Sequence, residues 1–235
     1  MKILAIDSSS NVATVAVLEE DMVIAEYSVN HKKTHSQTLL PMIDEILKMS
    51  ELTMEDIEAI AVSAGPGSFT GLRIGSATAK GLAYVKNLPI IEIPTIDGLA
   101  YNCADYNKYI CPMMDARRNQ VYTGIYHYDN DELICDVAQC QMDITELIDK
   151  INEMGEPVIF LGDGVKVHKE TLVSGLKVEF IFAKPHMLLQ SAAAVGVLAY
   201  KYYYEGKFVS AESHQPDYLR KSQAERELEE KQACK

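Results

Sequence analysis

The 235-residue sequence contains no tryptophan, only five phenylalanines and five cysteines, and fewer basic than acidic residues. With 22 Lys and Arg against 34 Asp and Glu, the formal net charge is −12. A free-standing nucleic-acid binder is disfavoured, because neutralising phosphates requires clustered Lys and Arg. Five cysteines without a Cys-x-x-Cys pair also disfavour a disulfide scaffold and a thiolate metal or redox site.

Long hydrophobic runs are missing as well. The longest apolar stretch, residues 187–200, is interrupted by Gln190 and Ser191, and it is shorter than the roughly 20 residues that span a bilayer. The N-terminal apolar segment is too short for a signal peptide and is followed at once by Asp7. We therefore expect no membrane span and a cytoplasmic location. The hydrophobic fraction of 48% excludes general disorder.

The apolar patterns that are present alternate between strands and helices, which predicts an α/β protein with mixed sheets and helical crossovers. Strands are expected near residues 3–6, 13–18, 22–27, 57–63, 88–93, 121–128, 158–161 and 178–182. Helices are expected near residues 36–49, 72–85, 95–101, 144–154 and 186–204. Both halves of the chain open with strands, which indicates two related lobes. We expect a first lobe over residues 1–108, a smaller second lobe over 109–220 that includes the long C-terminal helix, and a polar tail over 221–235.

The first candidate site is the segment Asp7-Ser8-Ser9. A carboxylate directly after a buried strand, followed by hydroxyl residues, is typical of a loop that contacts a phosphate or its metal ion. The alternative is an aspartate that only stabilises a tight turn.

The second candidate site is the glycine-rich segment Gly65–Gly75. A glycine-rich loop before a helix N-terminus suits an anion, but this segment matches neither the P-loop pattern nor GxGxxG. A tight strand–helix connection explains it equally well. Arg73 is the only cation in the segment, and either an anion or a surface carboxylate could pair with it.

Three further features have two interpretations each. The small residues Gly75, Ala79 and Ala83 recur every four positions, so that face of the helix packs closely either inside the domain or on a partner. His31 and His35 have the spacing of a helical metal pair, but they lie in a polar run before the helix and are interpreted as exposed. The segment Asp115-Ala116-Arg117-Arg118 fits either an anion site or a turn with a salt bridge.

Several longer segments together resemble the bacterial TsaB (YeaZ) family. They are Ile3–Ser9, His35–Ile43, Gly65–Gly75 with Ala79–Ala83, Asp115–Arg117 and Tyr218–Arg220. The resemblance implies the two-lobed fold of actin, hexokinase and Hsp70 (the ASKHA fold). It also implies a role in forming N6-threonylcarbamoyladenosine at position 37 of tRNA, as the non-catalytic partner of the paralogous transferase TsaD. The ATPase TsaE joins that complex, and tRNA is bound only through it.

The resemblance also has implications for individual residues. The metal-binding histidine pair of TsaD falls on Thr95 and Leu99, neither of which can serve as a neutral nitrogen ligand. Asp7, Ser8 and Ser9 would then be a degenerate phosphate loop, with no cofactor and no metal ion. Partner contact is implied on the first two helices, through a face that would also form a homodimer when TsaD is absent. The residues expected on that face are Leu39, Met42, Ile43, Leu72, Gly75, Ser76, Ala79 and Leu82.

Three functional hypotheses compete. The first is the scaffold or activating subunit. The second is an enzyme, either an ASKHA-type phosphotransferase or a metallopeptidase-like protein, which requires tight binding of ATP or a metal ion. The third is an RNA-binding module, against which the net charge of −12 argues.

Overall fold

Two five-stranded mixed sheets with the same strand order form the framework of the chain. The computed structural model describes residues 1–20, 22–31, 34–103 and 107–219. The expected polar tail, 221–235, lies outside the described residues.

The first sheet has the order β3-β2-β1-β4-β5. Its strands are β1 (Lys2–Asp7), β2 (Ala13–Glu19), β3 (Met22–Val29), β4 (Ala59–Gly65) and β5 (Ile90–Pro94). The helices of this part are α1 (His35–Met49), α2 (Phe69–Lys86) and α3 (Thr95–Tyr101), with a 3-10 turn at Met54–Asp56. Because β1 and β4 are parallel neighbours, the loops that follow them meet at one edge of the sheet.

The second sheet has the order β10-β9-β6-β7-β8. Counted from its opposite edge, as β8-β7-β6-β9-β10, this order repeats the topology of the first sheet. Its strands are β6 (Tyr109–Asp115), β7 (Gln120–Asp129), β8 (Glu132–Asp143), β9 (Val158–Leu161) and β10 (Phe180–Phe182). The helices that follow in the chain are α4 (Ile144–Met154), α5 (Gly164–Gly175) and α6 (Ala192–Tyr204). In each sheet the first strand is antiparallel to the second and parallel to the fourth. The expectation of two related lobes is therefore confirmed.

Strand β1 is buried on both of its faces. Leu4 and Ile6 pack in a core with α1 and α2, whereas Ile3 and Ala5 pack in a core with α6 on the opposite face. This alternation follows from the two-residue period of a strand. It explains why the strand reads as a continuous apolar run rather than as alternating polar and apolar residues.

The C-terminal helix corrects the expected lobe boundary. We expected a helix over 186–204 in the second lobe, but α6 begins only at Ala192, where the Ser191 side chain accepts the N–H of Ala194. Its buried residues, such as Val195 and Ala199, pack against the first sheet. The second lobe therefore ends before α6.

The start of α1 differs by one residue from the expected 36–49, since the helix begins at His35 with Thr34 as its N-cap. Pro41 lies inside this helix with its side chain exposed. No helix among the described residues is long and apolar enough to cross a bilayer.

Candidate functional site

Asp7, at the end of β1, is buried with 1% of its surface exposed. One carboxylate oxygen accepts hydrogen bonds from the Ser9 backbone N–H (2.8 Å) and the Ser9 hydroxyl (2.7 Å). The other accepts the hydroxyl of Ser63 on β4 at 2.6 Å. Burial raises the pKa of Asp7 above its ordinary value, against the opposing effect of these three donors. The protein itself therefore satisfies both oxygens of this carboxylate.

The loop after Asp7 lies directly on the glycine-rich segment. The Ser8 hydroxyl donates to the Gly71 carbonyl (2.9 Å), and the Ser68 N–H donates to the Ser9 carbonyl (2.6 Å). A side chain at Gly67 would overlap the Ser9 carbonyl, and one at Gly71 would overlap the Ser8 carbonyl. These two glycines therefore allow a close approach of two loops. The segment was interpreted either as an anion site or as a tight strand–helix connection. The tight connection explains both of these glycines.

Ser10 connects the same loop to α1 and to the segment before α6. Its hydroxyl donates to Gln190 (2.7 Å), and its carbonyl lies 2.7 Å from Nε2 of His35. Because a carbonyl only accepts, Nε2 of His35 carries the proton in this contact. We expected both His31 and His35 to be exposed; His31 is exposed, but His35 is half-buried. Spacing along the chain gave no signal for this contact, since Ser10 and His35 are 25 residues apart.

An open groove of about 690 Å³ lies beside the loop, where α1 and α2 begin. Among the described residues, those that line it carry hydroxyl, amide and imidazole groups but no carboxylate: Asn11, Asn30, His31, Thr34, His35, Ser68, Thr70, Gly71 and Ile74. Among the described residues, no group of three or more His, Cys, Asp or Glu is arranged to hold a metal ion.

The positions matched to the histidine pair of TsaD have structural roles. Thr95 is fully buried, and its hydroxyl accepts the N–H of Gly65 at 3.1 Å. Leu99 is 1% exposed and packs in a core with Ile96 and Ile110. One position thus holds the glycine-rich loop in place, and the other fills the core.

The residues expected to contact a partner point mostly into the protein, which corrects the sequence interpretation. All but Leu82 are buried, and Leu82 is half-buried. The small face of α2 packs inward, because the Ser8 hydroxyl occupies the space that a side chain at Gly75 would need. The buried residues are Leu39, Met42, Ile43, Leu72, Gly75, Ser76 and Ala79.

The outward faces of α1 and α2 carry different residues. Leu40 on α1 is 55% exposed and Tyr84 on α2 is 69% exposed. On α2, Ala77 and Gly81 are also exposed. A side chain added at Gly81 would meet no atom within 4 Å. We call Leu40, Ala77, Gly81 and Tyr84 the outer face.

The segment after β6 forms a tight turn. One carboxylate oxygen of Asp115 accepts the backbone N–H of Arg117 at 2.8 Å. Arg117, Arg118 and Asn119 all have left-handed backbone conformations. The Arg73 side chain, for which an anion or a carboxylate was expected, stacks on Phe69 and donates to the Tyr218 hydroxyl at 3.3 Å.

Comparisons with known proteins agree with this architecture. The family model described as TsaD, tRNA N6-adenosine threonylcarbamoyltransferase, matches residues 23–228. The tRNA threonylcarbamoyladenosine biosynthesis protein TsaB of Bacillus subtilis (strain 168) is 39% identical over 172 residues, which cover 73% of this chain and 75% of that protein. The protein of the same name from Escherichia coli (strain K12) is 30% identical over 238 residues, covering 97% and 98%.

A solved structure also resembles the chain. YeaZ from Pseudomonas aeruginosa superposes with a TM-score of 0.79 at 25% identity, covering 92% of this chain and 99% of that one. The chain has the expected two-lobed α/β fold of the ASKHA type, and it belongs to the TsaB (YeaZ) family of tRNA threonylcarbamoyladenosine biosynthesis proteins.

Proposed function

We propose that the chain is a non-catalytic, cytoplasmic subunit that pairs with and activates a TsaD-like transferase. It also recruits a TsaE-like ATPase, contacts tRNA only within that complex, and forms a homodimer when the transferase is absent. The observation that carries the non-catalytic assignment is the closure of the Asp7–Ser10 loop against the glycine-rich segment.

Because of this closure, two backbone N–H groups that could otherwise bind a phosphate already have acceptors within the protein. The Ser9 N–H is used by Asp7, and the Ser68 N–H is used by the Ser9 carbonyl. The carbonyl oxygens of Ser8 and Ser9 face the start of α2, where an anion would need donors rather than acceptors. Asp7 is buried, and both of its carboxylate oxygens are engaged by Ser9 and Ser63, which disfavours a role as a metal ligand.

Thr95 and Leu99 support the same assignment. A metallopeptidase-like site needs nitrogen or oxygen ligands that converge on the ion. The Thr95 hydroxyl is engaged with Gly65, and Leu99 has no ligand atom. The proposal therefore includes neither a metal ion nor a nucleotide bound by this chain alone.

The proposed contact with the transferase uses the outer face. Leu40 and Tyr84 expose apolar surface, and Ala77 and Gly81 allow the backbone of a partner helix to approach closely. Exposed apolar surface around small residues suits helix-on-helix packing, because little side-chain bulk separates the two backbones. This replaces the inward-facing residues that the sequence suggested.

The alternative is an ASKHA-type phosphotransferase or a metallopeptidase-like enzyme. Titration calorimetry with ATP-Mg²⁺ and metal analysis of the purified chain separate it from the proposal, with the TsaD-like subunit as a positive control. We expect no binding heat and no stoichiometric metal ion for this chain. Saturable ATP binding, or one bound metal ion per chain, would overturn the non-catalytic assignment.

A further inference from the structure

The segment after α6, residues 207–219, runs back along the first lobe, and we call it the C-terminal strap. Its first anchor is the outer edge of β5. Val209 and Ile90 exchange two backbone hydrogen bonds of 2.9 Å each. The strap thus covers part of a sheet edge that would otherwise have unpaired N–H and C=O groups.

The second anchor is a histidine–glutamate pair. Nδ1 of His214 lies 2.6 Å from a carboxylate oxygen of Glu92 on β5. Because a carboxylate accepts, Nδ1 carries the proton in this contact. His214 is fully buried, and its Nε2 has no hydrogen-bond partner among the described residues. Lys80 of α2 donates to the His214 carbonyl at 2.9 Å, so the strap is attached to both β5 and α2.

The third anchor lies between the two lobes. The Asp217 N–H donates to the Ala64 carbonyl at 2.7 Å, and the Asp217 carbonyl rests on Gly65, where a side chain would overlap it. The Asp217 carboxylate lies 3.4 Å from the amide nitrogen of Gln139 on β8 in the second lobe. A single residue of the strap therefore contacts the glycine-rich loop of one lobe and an edge strand of the other.

The last anchor sets the first turn of α2. The Tyr218 ring packs on Phe69, with ring centroids 4.5 Å apart, and its hydroxyl accepts Nε–H of Arg73. The Arg73 guanidinium also lies over the Phe69 ring, 4.0 Å from the ring centroid. The end of the strap thereby positions side chains at the start of the helix that carries most of the outer face.

These anchors are mainly polar. In the strap, Ala211 is buried in the core, and Val209 is partly buried against it. Segments with little buried apolar surface and exposed hydrogen bonds open at a lower free energy than the core of a domain. Gly206, with a left-handed backbone, precedes the strap and provides a place where the chain can turn as the strap leaves.

We propose that the C-terminal strap is a releasable latch. When it is attached, it adds a contact between the two lobes and fixes the first turn of α2; when it is released, both are lost while the two sheets stay folded. The consequence for partner binding rests on the function proposed above, whereas the latch itself does not.

Hydrogen exchange of the full-length chain tests the release. Glu92→Gln should accelerate exchange at the Val209 and Asp217 amides together, by about tenfold or more, as expected for weakening one charge-assisted hydrogen bond. Amides of β1 should keep their wild-type rates. Tyr218→Ala, at the exposed end of the strap, should accelerate Asp217 in the same way. Lys86→Gln is the matched control, since Lys86 lies on α2 but contacts Glu55 and Met54 rather than the strap.

Spin-label distances test the effect on the lobes, with labels at Lys48→Cys on α1 and Glu170→Cys on α5 in a chain whose native cysteines are replaced by serine. The distance distribution should broaden in Glu92→Gln and stay narrow in Lys86→Gln.

Strap amides that keep their wild-type rates, or accelerate only together with β1, would overturn the latch. So would a distance distribution that Glu92→Gln leaves unchanged. A wild-type chain that fails to bind the TsaD-like subunit would overturn the proposed function but not these exchange results.

Discussion

Ser63 on β4 donates a hydrogen bond of 2.6 Å to the carboxylate of Asp7 at the end of β1. The contact is possible because the two strands are parallel neighbours, so their carboxyl ends lie side by side. It joins the Asp7 carboxylate to the neighbouring strand, while the other carboxylate oxygen accepts two hydrogen bonds from Ser9. The candidate phosphate loop is thereby part of the packing between two loops.

This arrangement predicts different outcomes for two substitutions of Asp7. Asp7→Ala should lower the free energy of unfolding by about 1–3 kcal/mol, because buried donors on Ser9 and Ser63 lose their acceptor. Asp7→Asn should be milder, since the Ser63 hydroxyl can rotate to accept the new amide N–H. Urea denaturation measures both. A folded Asp7→Asn chain that no longer supports tRNA modification would contradict the structural role of Asp7.

The two glycines on opposite faces of α2 provide a matched pair. Gly81→Ala should raise the free energy of unfolding by about 0.5–1 kcal/mol, because alanine favours the helix and no atom is in the way. Gly75→Ala should lower it by about 1–3 kcal/mol, because the new methyl group overlaps the Ser8 hydroxyl. Thermal or urea unfolding of the two variants measures the difference. Equal effects of the same sign would contradict the orientation of α2 in which Gly75 faces inward and Gly81 faces outward.

The His214–Glu92 contact predicts a pH dependence. The hydrogen bond from His214 keeps the pKa of Glu92 below its ordinary value of 4.5. A carboxyl group whose pKa is lowered by folding stabilises the fold above its unfolded pKa, and this contribution is lost as the pH falls through the folded pKa. The stability difference between wild type and Glu92→Gln should therefore be fully present above pH 4.5 and shrink as the pH falls below it. Urea titrations at several pH values measure it, and a difference that grows on acidification would contradict the pairing.

The sequence predicted the fold and the location of the site better than the contacts within the site. Asp7 was identified because a carboxylate that ends a buried strand is conspicuous. Its partner Ser63 was not, since it is 56 residues away. The same holds for His214, which looks isolated in sequence but meets Glu92 across 122 residues.

The orientation of α2 was mispredicted for a different reason. Small residues lie on both of its faces, Gly75 and Ala79 inward and Ala77 and Gly81 outward. Hydropathy periodicity therefore does not distinguish the sheet-facing side from the outer side. Strand β8 was not identified because it lies at a sheet edge, where none of its residues is fully buried and the apolar alternation is weak.

The outer face predicts a specific loss of binding. Gly81→Arg should leave a folded chain, because the site opens on empty space, and should abolish co-purification with the TsaD-like subunit by placing a long charged side chain between the helices. Val167→Arg is the matched control, since Val167 on α5 is 59% exposed in the second lobe. Pull-down with purified subunits measures both, and equal retention by the two variants would contradict the assignment.

Reconstituted tRNA modification tests the central claim most directly. The assay measures threonylcarbamoyladenosine formed by the TsaD-like subunit with its activated substrate, with no added chain, with the wild-type chain, and with Gly81→Arg or Val167→Arg. We predict product with the wild-type chain and with Val167→Arg, and at least about tenfold less with Gly81→Arg or without the chain, as expected if a central interface contact worth 1.4 kcal/mol or more is lost. Full product without the chain, or product from the chain in the absence of the TsaD-like subunit, would contradict the account.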